Sequence, residues 1–272
     1  MRILGKTLKN LLLLPFFFVY ATTMSSIIGL SYASAQVLLA DDFENLSKSL
    51  ATWDVSNPTV LNVLIDSAKA QSGSGVLELV YQPNTTGPGY FAPKAWTPRP
   101  EVYIRWYEKY SPGWIWSGNG QKLVFINRGM GNIQPGLILD VLWGNDQPAV
   151  VYQMPGVDLP NLYQNVGTPK GIGGGQWHCL EWYVKGGNPG ATKVWIDGEL
   201  KLDYSNLPFT FNAIDAVWPS AYYNEGGATP TGVPNLQYRW MDDLVVSTTR
   251  IGCLPDTGDK TPPAAPSGLR VN

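Results

Sequence analysis

Histidine is nearly missing from this chain, which carries one, His178, among 272 residues. Cysteine is scarce too. Cys179 and Cys253 lack the C-x-x-C and H-E-x-x-H spacings that gather zinc ligands. A G-x-S-x-G elbow and a P-loop are both absent, so serine-hydrolase and nucleotide chemistry have no support. Charged residues make up 15%, with a formal net charge of -2. Without a basic excess or a basic tail, the chain is expected to bind neither nucleic acid nor an anionic membrane surface. Helical periodicity is also nearly absent, which points away from the helical classes.

Long apolar runs are missing except at the start. There Arg2, Lys6 and Lys9 precede the run from Leu11 to Tyr20, and Ala33-Ser34-Ala35 stands ahead of Gln36. That order is the layout of a secretory signal peptide. Thr22, Thr23, Ser25 and Ser26 break the run well short of the roughly 20 apolar residues a membrane span needs. Cleavage after Ala35 is expected, leaving no span and a more acidic secreted or periplasmic chain. In an oxidising compartment the two cysteines read as a disulfide, which could stabilise the fold by about 4 kcal/mol. The remaining length suits one main domain over residues 36–255, expected to act as a monomer. Beyond it the chain turns proline-rich, with Thr261-Pro262-Pro263-Ala264-Ala265-Pro266. Pro266-Ser267-Gly268-Leu269-Arg270-Val271 resembles the opening strand of a fibronectin type III module.

What is abundant is β-forming sequence between turn residues. Runs rich in Val, Ile, Trp and Tyr occupy 38–43, 76–81, 102–110, 123–128, 137–143, 150–154, 177–185, 192–197, 217–224 and 238–247. Turns such as Asn119-Gly120, Gly144-Asn145 and Asp197-Gly198 separate them. The pattern predicts an all-β antiparallel sandwich or jelly roll. The Gly-rich stretch from Asn161 to Gly175 reads either as a mobile loop over a cleft or as an ordinary surface loop.

Within 102–109, period-2 alternation puts Val102, Ile104 and Trp106 on a core face and Tyr103, Arg105, Tyr107 and Lys109 on the other. The second set suits a sugar platform, rings stacking on apolar sugar faces and cations meeting carboxylates; a solvated outer face is the equal alternative. Basic residues concentrate nearby: Lys94, Arg99, Arg105, Lys109, Lys122 and Arg128 face only Glu101 and Glu108 in that interval. Such segregation would favour an anionic substrate. Trp114 and Trp116 in the same interval are either binding rings or a corner of the core. A further strand aligns Trp218, Ser220, Tyr222 and Asn224 on one face. His178 shares a strand face with Leu180, Trp182 and Val184, which favours a structural role over catalysis. Asp41-Asp42-Phe43-Glu44 in the first strand and Asp242-Asp243 in the last would meet if the terminal strands pair, with turn capping or a structural Ca²⁺ held by Asp42 and Asp243 as outcomes.

Several segments together resemble the concanavalin A-like lectin/glucanase superfamily, in particular its jelly-roll polysaccharide lyases. They are Asp41-Asp42-Phe43-Glu44, Tyr103-Ile104-Arg105-Trp106-Tyr107 with Gly120-Gln121-Lys122-Leu123, Gly175-Gln176-Trp177-His178 with Val194-Trp195-Ile196-Asp197-Gly198, and Trp240-Met241-Asp242-Asp243-Leu244. The G-x-K-L piece looks like that of algal-virus-type alginate and glucuronan lyases, whose matching lysine is implicated in catalysis. The R-x-E-L and Q-I-H motifs of commoner alginate lyases are absent, as is the E-x-D-x-E strand of laminarinase-like hydrolases. The resemblance implies β-elimination on an acidic, uronic-acid polysaccharide, with no cofactor required. In that reading Lys122 or Tyr222 is the base, Tyr103 the acid, and Arg105 and Asn127 neutralise the carboxylate. Tyr107, Trp114, Trp116, Arg128 and Asn224 are the further substrate contacts. A non-catalytic carbohydrate-binding module and an adhesin-like scaffold piece are the alternatives.

Overall fold

Where the sequence showed ten β-rich runs, the described residues form fourteen strands and one short helix in the computed structural model. It describes residues 36–53, 62–85, 87, 89–90, 94–118, 120–126, 136–141, 146–153, 160–223 and 235–255. The expected signal peptide and the proline-rich tail lie outside the described residues. Among the described residues no helix is long and apolar enough to cross a membrane.

One sheet contains eight strands: β1 (Val37–Asp41), β2 (Asn62–Ile65), β3 (Gly75–Tyr81), β6 (Glu101–Tyr110), β10 (His178–Lys185), β11 (Gly190–Ile196), β12 (Glu199–Leu207) and β14 (Gln237–Ser247). Their order is β12-β11-β10-β6-β14-β3-β2, with β1 also on β14. The other sheet contains six: β4 (Gly89–Tyr90), β5 (Lys94–Arg99), β7 (Gln121–Ile126), β8 (Gly136–Val141), β9 (Pro148–Gln153) and β13 (Ile214–Tyr223). Its order is β4-β13-β7-β8-β9, with β5 also on β13. The strand pairs are antiparallel, giving the expected jelly-roll sandwich.

The core lies between the sheets. Val102, Ile104, Trp106, Leu180, Trp182, Val184, Met241, Leu244 and Val246 of the first sheet meet Leu123, Val124, Ile126, Leu137, Leu139, Val150 and Val217 of the second. An ion pair between neighbouring strands of the first sheet lies in this apolar layer, Arg239 to Glu108 at 2.9 Å, both fully buried. Glu108 also accepts from Trp106 Nε1 and the Tyr110 hydroxyl, while Arg239 Nη2 reaches the carbonyl of Leu123 at 3.5 Å. Burial pushes the neighbouring Tyr81 phenol up to about 12. Cys179 and Cys253 are bonded, closing a separation of 74 residues.

Four strands and the helix α1 (Leu46–Thr52) escape the sequence pattern. At seven residues α1 is too short for a helical period to stand out, and its Leu46 and Leu50 are exposed; Asn45 caps it by accepting from the Lys48 amide at 3.1 Å. β5 carries Pro98, and β2 and β12 are half-exposed edge strands with weak alternation. Residues 161–175 form a pinned surface loop rather than a free lid. Leu162 and Val150 exchange backbone hydrogen bonds, Asn165 and Val166 donate to the Lys201 carbonyl, and Ile172 is fully buried.

Candidate functional site

Lys122 reaches its face through an irregularity in β7. Lys122 pairs with Asp140, yet Val124 pairs with Leu139, so β7 carries an extra residue, Leu123, between those pairs. Leu123 and Val124 are both fully buried. A bulge of this kind reverses side-chain parity along the strand. Val124 and Ile126 therefore face the core, while Lys122 and Phe125 share the opposite face with Ile138 and Asp140. In a regular strand Lys122 would follow Val124 and bury its ammonium between the sheets, at high cost. β13 is also irregular between Pro219 and Tyr222, which places position 222 across from Lys122 and Trp218 across from Phe125.

Burial sets the electrostatics of this face. Asp140 is 3% exposed, and its Oδ1 has no donor among the described residues. Burial pushes its carboxyl up to about 7, against the pull of Lys122. Burial likewise lowers Lys122, with Asp140 opposing. The ammonium stands 5.7 Å from the Phe125 ring centroid, and the buried Trp218 Nε1 has no acceptor among the described residues. The arrangement pairs a lysine that releases its proton more readily than usual with an acid that keeps its proton towards neutrality, above two rings able to carry an apolar sugar face. Asp140 was not among the sequence candidates. Its signal was a lone carboxylate in the apolar run Gly136-Leu137-Ile138-Leu139-Asp140-Val141.

The structure does not bring Arg105, Tyr103 and Tyr107 to this face. They lie on the eight-stranded sheet, on the side turned away from the core. Arg105 and Tyr107 are 4% and 5% exposed because the chain after β14 crosses them. The Leu254 amide donates to the Tyr107 hydroxyl, the Ile251 and Gly252 amides to Glu181, and the disulfide ties Cys253 down to β10. Tyr103 packs 4.7 Å from Tyr183, and burial together with Glu101 raises its phenol. A site combining these residues with Lys122 is thus ruled out by the placement of the two sheets. Trp114 and Trp116 form a core corner around Tyr110, at centroid distances of 4.7 and 4.6 Å. Asn127, Arg128 and Asn224 fall outside the described residues, just beyond β7 and β13.

The terminal strands β1 and β14 do pair, with Asp41 opposite Leu244. The acids gathered there have protein donors: Lys48 for Asp42 at 2.8 Å, Ser49 and Trp53 for Asp41, the Ser74 and Gly75 amides for Glu44, and Ser72 for Asp243. Among the described residues no three His, Cys, Asp or Glu side chains form a metal-holding group. His178 is 2% exposed and bridges Asp197, at 3.0 Å, to the Gly173 carbonyl, at 3.2 Å. Although burial alone would raise Asp197, donors from His178 and Lys170 hold its carboxyl below the usual range. The histidine thus pins the 161–175 loop to the β11–β12 turn, a structural task.

No protein-family model matches the sequence, and no curated protein matches it. Solved structures match in fold. The alginate lyase Aly36B has a TM-score of 0.56 at 18% identity, over 81% of this chain and 99% of that one. Two of its double variants, each with a lysine replaced by alanine, are in complex with an alginate trisaccharide and tetrasaccharide. The endo-β-1,4-glucuronan lyase of the fungus Trichoderma reesei has a TM-score of 0.51 at 18% identity, covering 80% and 95% of the two chains. An alginate lyase from Chlorella virus has a TM-score of 0.52 at 16% identity, covering 79% and 99%. The chain therefore shares a jelly-roll β-sandwich fold with these polysaccharide lyases.

Proposed function

We propose that this chain is a secreted polysaccharide lyase that cleaves a uronic-acid polymer by β-elimination on the face carrying Lys122. The observation that carries the reading is the β7 bulge, which turns a lysine of depressed basicity onto that face, directly across from Asp140. Lys122 in its neutral form takes the C5 proton of the uronate. The electron pair left on C5 forms the C4=C5 double bond as the C4–O4 bond breaks, and O4 takes a proton. Tyr222, opposite Lys122 in the register, replaces Tyr103 as the candidate donor to O4. Asn127 and Arg128, following β7, are the candidates for neutralising the uronate carboxylate and the developing enolate. The lyases of this fold that hold alginate oligosaccharides support an acidic substrate, and the disulfide supports an oxidising compartment.

The reaction requires no cofactor. A Ca²⁺ ion at Asp42 and Asp243, which Lys48 and Ser72 would have to release, belongs to stability: a chelator then lowers Tm and leaves kcat unchanged. The test of the main reading is the ultraviolet absorbance of unsaturated ends released from alginate, glucuronan and pectate. Product from one of them, abolished in Lys122→Ala, is expected. Binding of all three with no product would replace the lyase by a carbohydrate-binding module.

A further inference from the structure

Across the outer face of the eight-stranded sheet runs a row of rings and ammonium groups that the proposed reaction does not use. Lys109 of β6 pairs in register with Trp240 of β14, and Trp240 with Glu78 of β3. Trp177 immediately precedes β10, whose His178 pairs with Glu108. Trp177, Lys109 and Trp240 therefore line up across the strands, at roughly 5 Å per strand. The Lys109 ammonium lies 5.9 Å from the Trp177 ring and 5.5 Å from the Trp240 ring. Lys69 stands 5.8 Å from both Trp240 and Tyr238, whose rings are within 7° of parallel.

This row is preorganised by one buried acid. Glu78 accepts from Trp240 Nε1 and from Lys69, both at 2.9 Å, so it fixes an indole and an ammonium together. Lysine stems commonly shelter apolar rings on an outer sheet face, and that alone would account for the rings. It does not account for the charge. Glu78 answers Lys69, whereas Lys109 meets two indoles and no carboxylate among the described residues. Trp177 and Tyr238 remain half-exposed beside the two cations.

We infer that this row is a second glycan-binding surface, on the opposite side of the sandwich from Lys122, taking an acidic polysaccharide. Carboxylates of the polymer meet Lys109 and Lys69, and apolar sugar faces stack on Trp177 and Tyr238. Charge complementarity selects the occupant. A neutral glycan would use the rings and leave Lys109 unanswered. The inference shares a class of polymer with the proposed function but none of its residues, and it stands if Lys122 performs no chemistry.

The test uses the full mature chain carrying Lys122→Ala, so that nothing is cleaved, and measures depletion onto immobilised alginate. Trp177→Ala and Lys109→Gln are added singly, with Tm followed in each. Each is expected to weaken polymer binding roughly tenfold, and the salt dependence of binding should flatten in Lys109→Gln. With Lys122 intact, neither change should alter turnover of a short oligosaccharide. Unchanged polymer binding in both variants overturns the inference, as does equal retention on cellulose. If Trp177→Ala unfolds, Lys109→Gln decides alone. Absence of unsaturated product from the Lys122-intact chain would count against the lyase and leave the binding result standing.

Discussion

Lys122 and Asp140 each hold the other's charge against the effect of burial, and that balance gives the residue scale its predictions. Lys122→Ala removes the proposed base, so kcat is expected to fall roughly a thousandfold while polymer binding holds; a drop in binding with kcat kept would show a binding lysine instead. Asp140→Asn removes the charge that raises Lys122. The ammonium then loses its proton at lower pH, and the rising limb of the pH profile of kcat/KM moves towards acid. A limb that stays in place refutes the coupling. The same aspartate shapes stability. Its carboxyl is raised from 3.8 to about 7 in the folded chain, so its contribution is complete below the lower value and is lost as pH rises through the higher. Urea melts of Asp140→Asn should therefore show a flatter pH dependence across that window. Lys122 became a candidate through its G-x-K-L setting and the resemblance that setting carries. Asp140 did not, because its role comes from a strand partner that no local pattern names.

At the scale of elements, the strap after β14 decides what β6 can present. Cys253→Ser is expected to cost about 4 kcal/mol of stability on the chain-entropy account. It should also expose Arg105 and Tyr107 to solvent while product formation below Tm persists. Tyrosine fluorescence and a urea melt read the two effects; activity lost in the folded variant would return the outer face of β6 to the site. The inner face of β6 was plain from alternation, and Val102, Ile104 and Trp106 are fully buried. The outer face was not, since Leu254 covers Tyr107 from 147 residues away. Parity failed for β7 for another reason. A bulge adds one residue without changing composition, so strict alternation would put Lys122 on the face of Val124, and only the register shows otherwise.

Across the whole molecule, the buried pair of Glu108 and Arg239 links the eight-stranded sheet to the bulge carrying Lys122, through the Leu123 carbonyl. Glu108→Ala strands a buried guanidinium and is expected to destabilise by about 3–5 kcal/mol, whereas Glu108→Leu with Arg239→Met should lose much less. Chemical denaturation of both tests this, and equal losses would mean that packing rather than charge dominates. By itself the sequence determined the all-β sandwich, the inward faces of its long strands and the cysteine pairing. Those follow from side-chain period, turn residues and the even cysteine count, all properties of neighbours in the chain. Only the tertiary structure decided which face is open. Arg105 and Lys122 lie 17 positions apart in one basic segment, yet the two sheets carry them to opposite sides of the sandwich. A bulge, a strap and a partner strand distant in sequence made that choice, and none of them is written in local spacing.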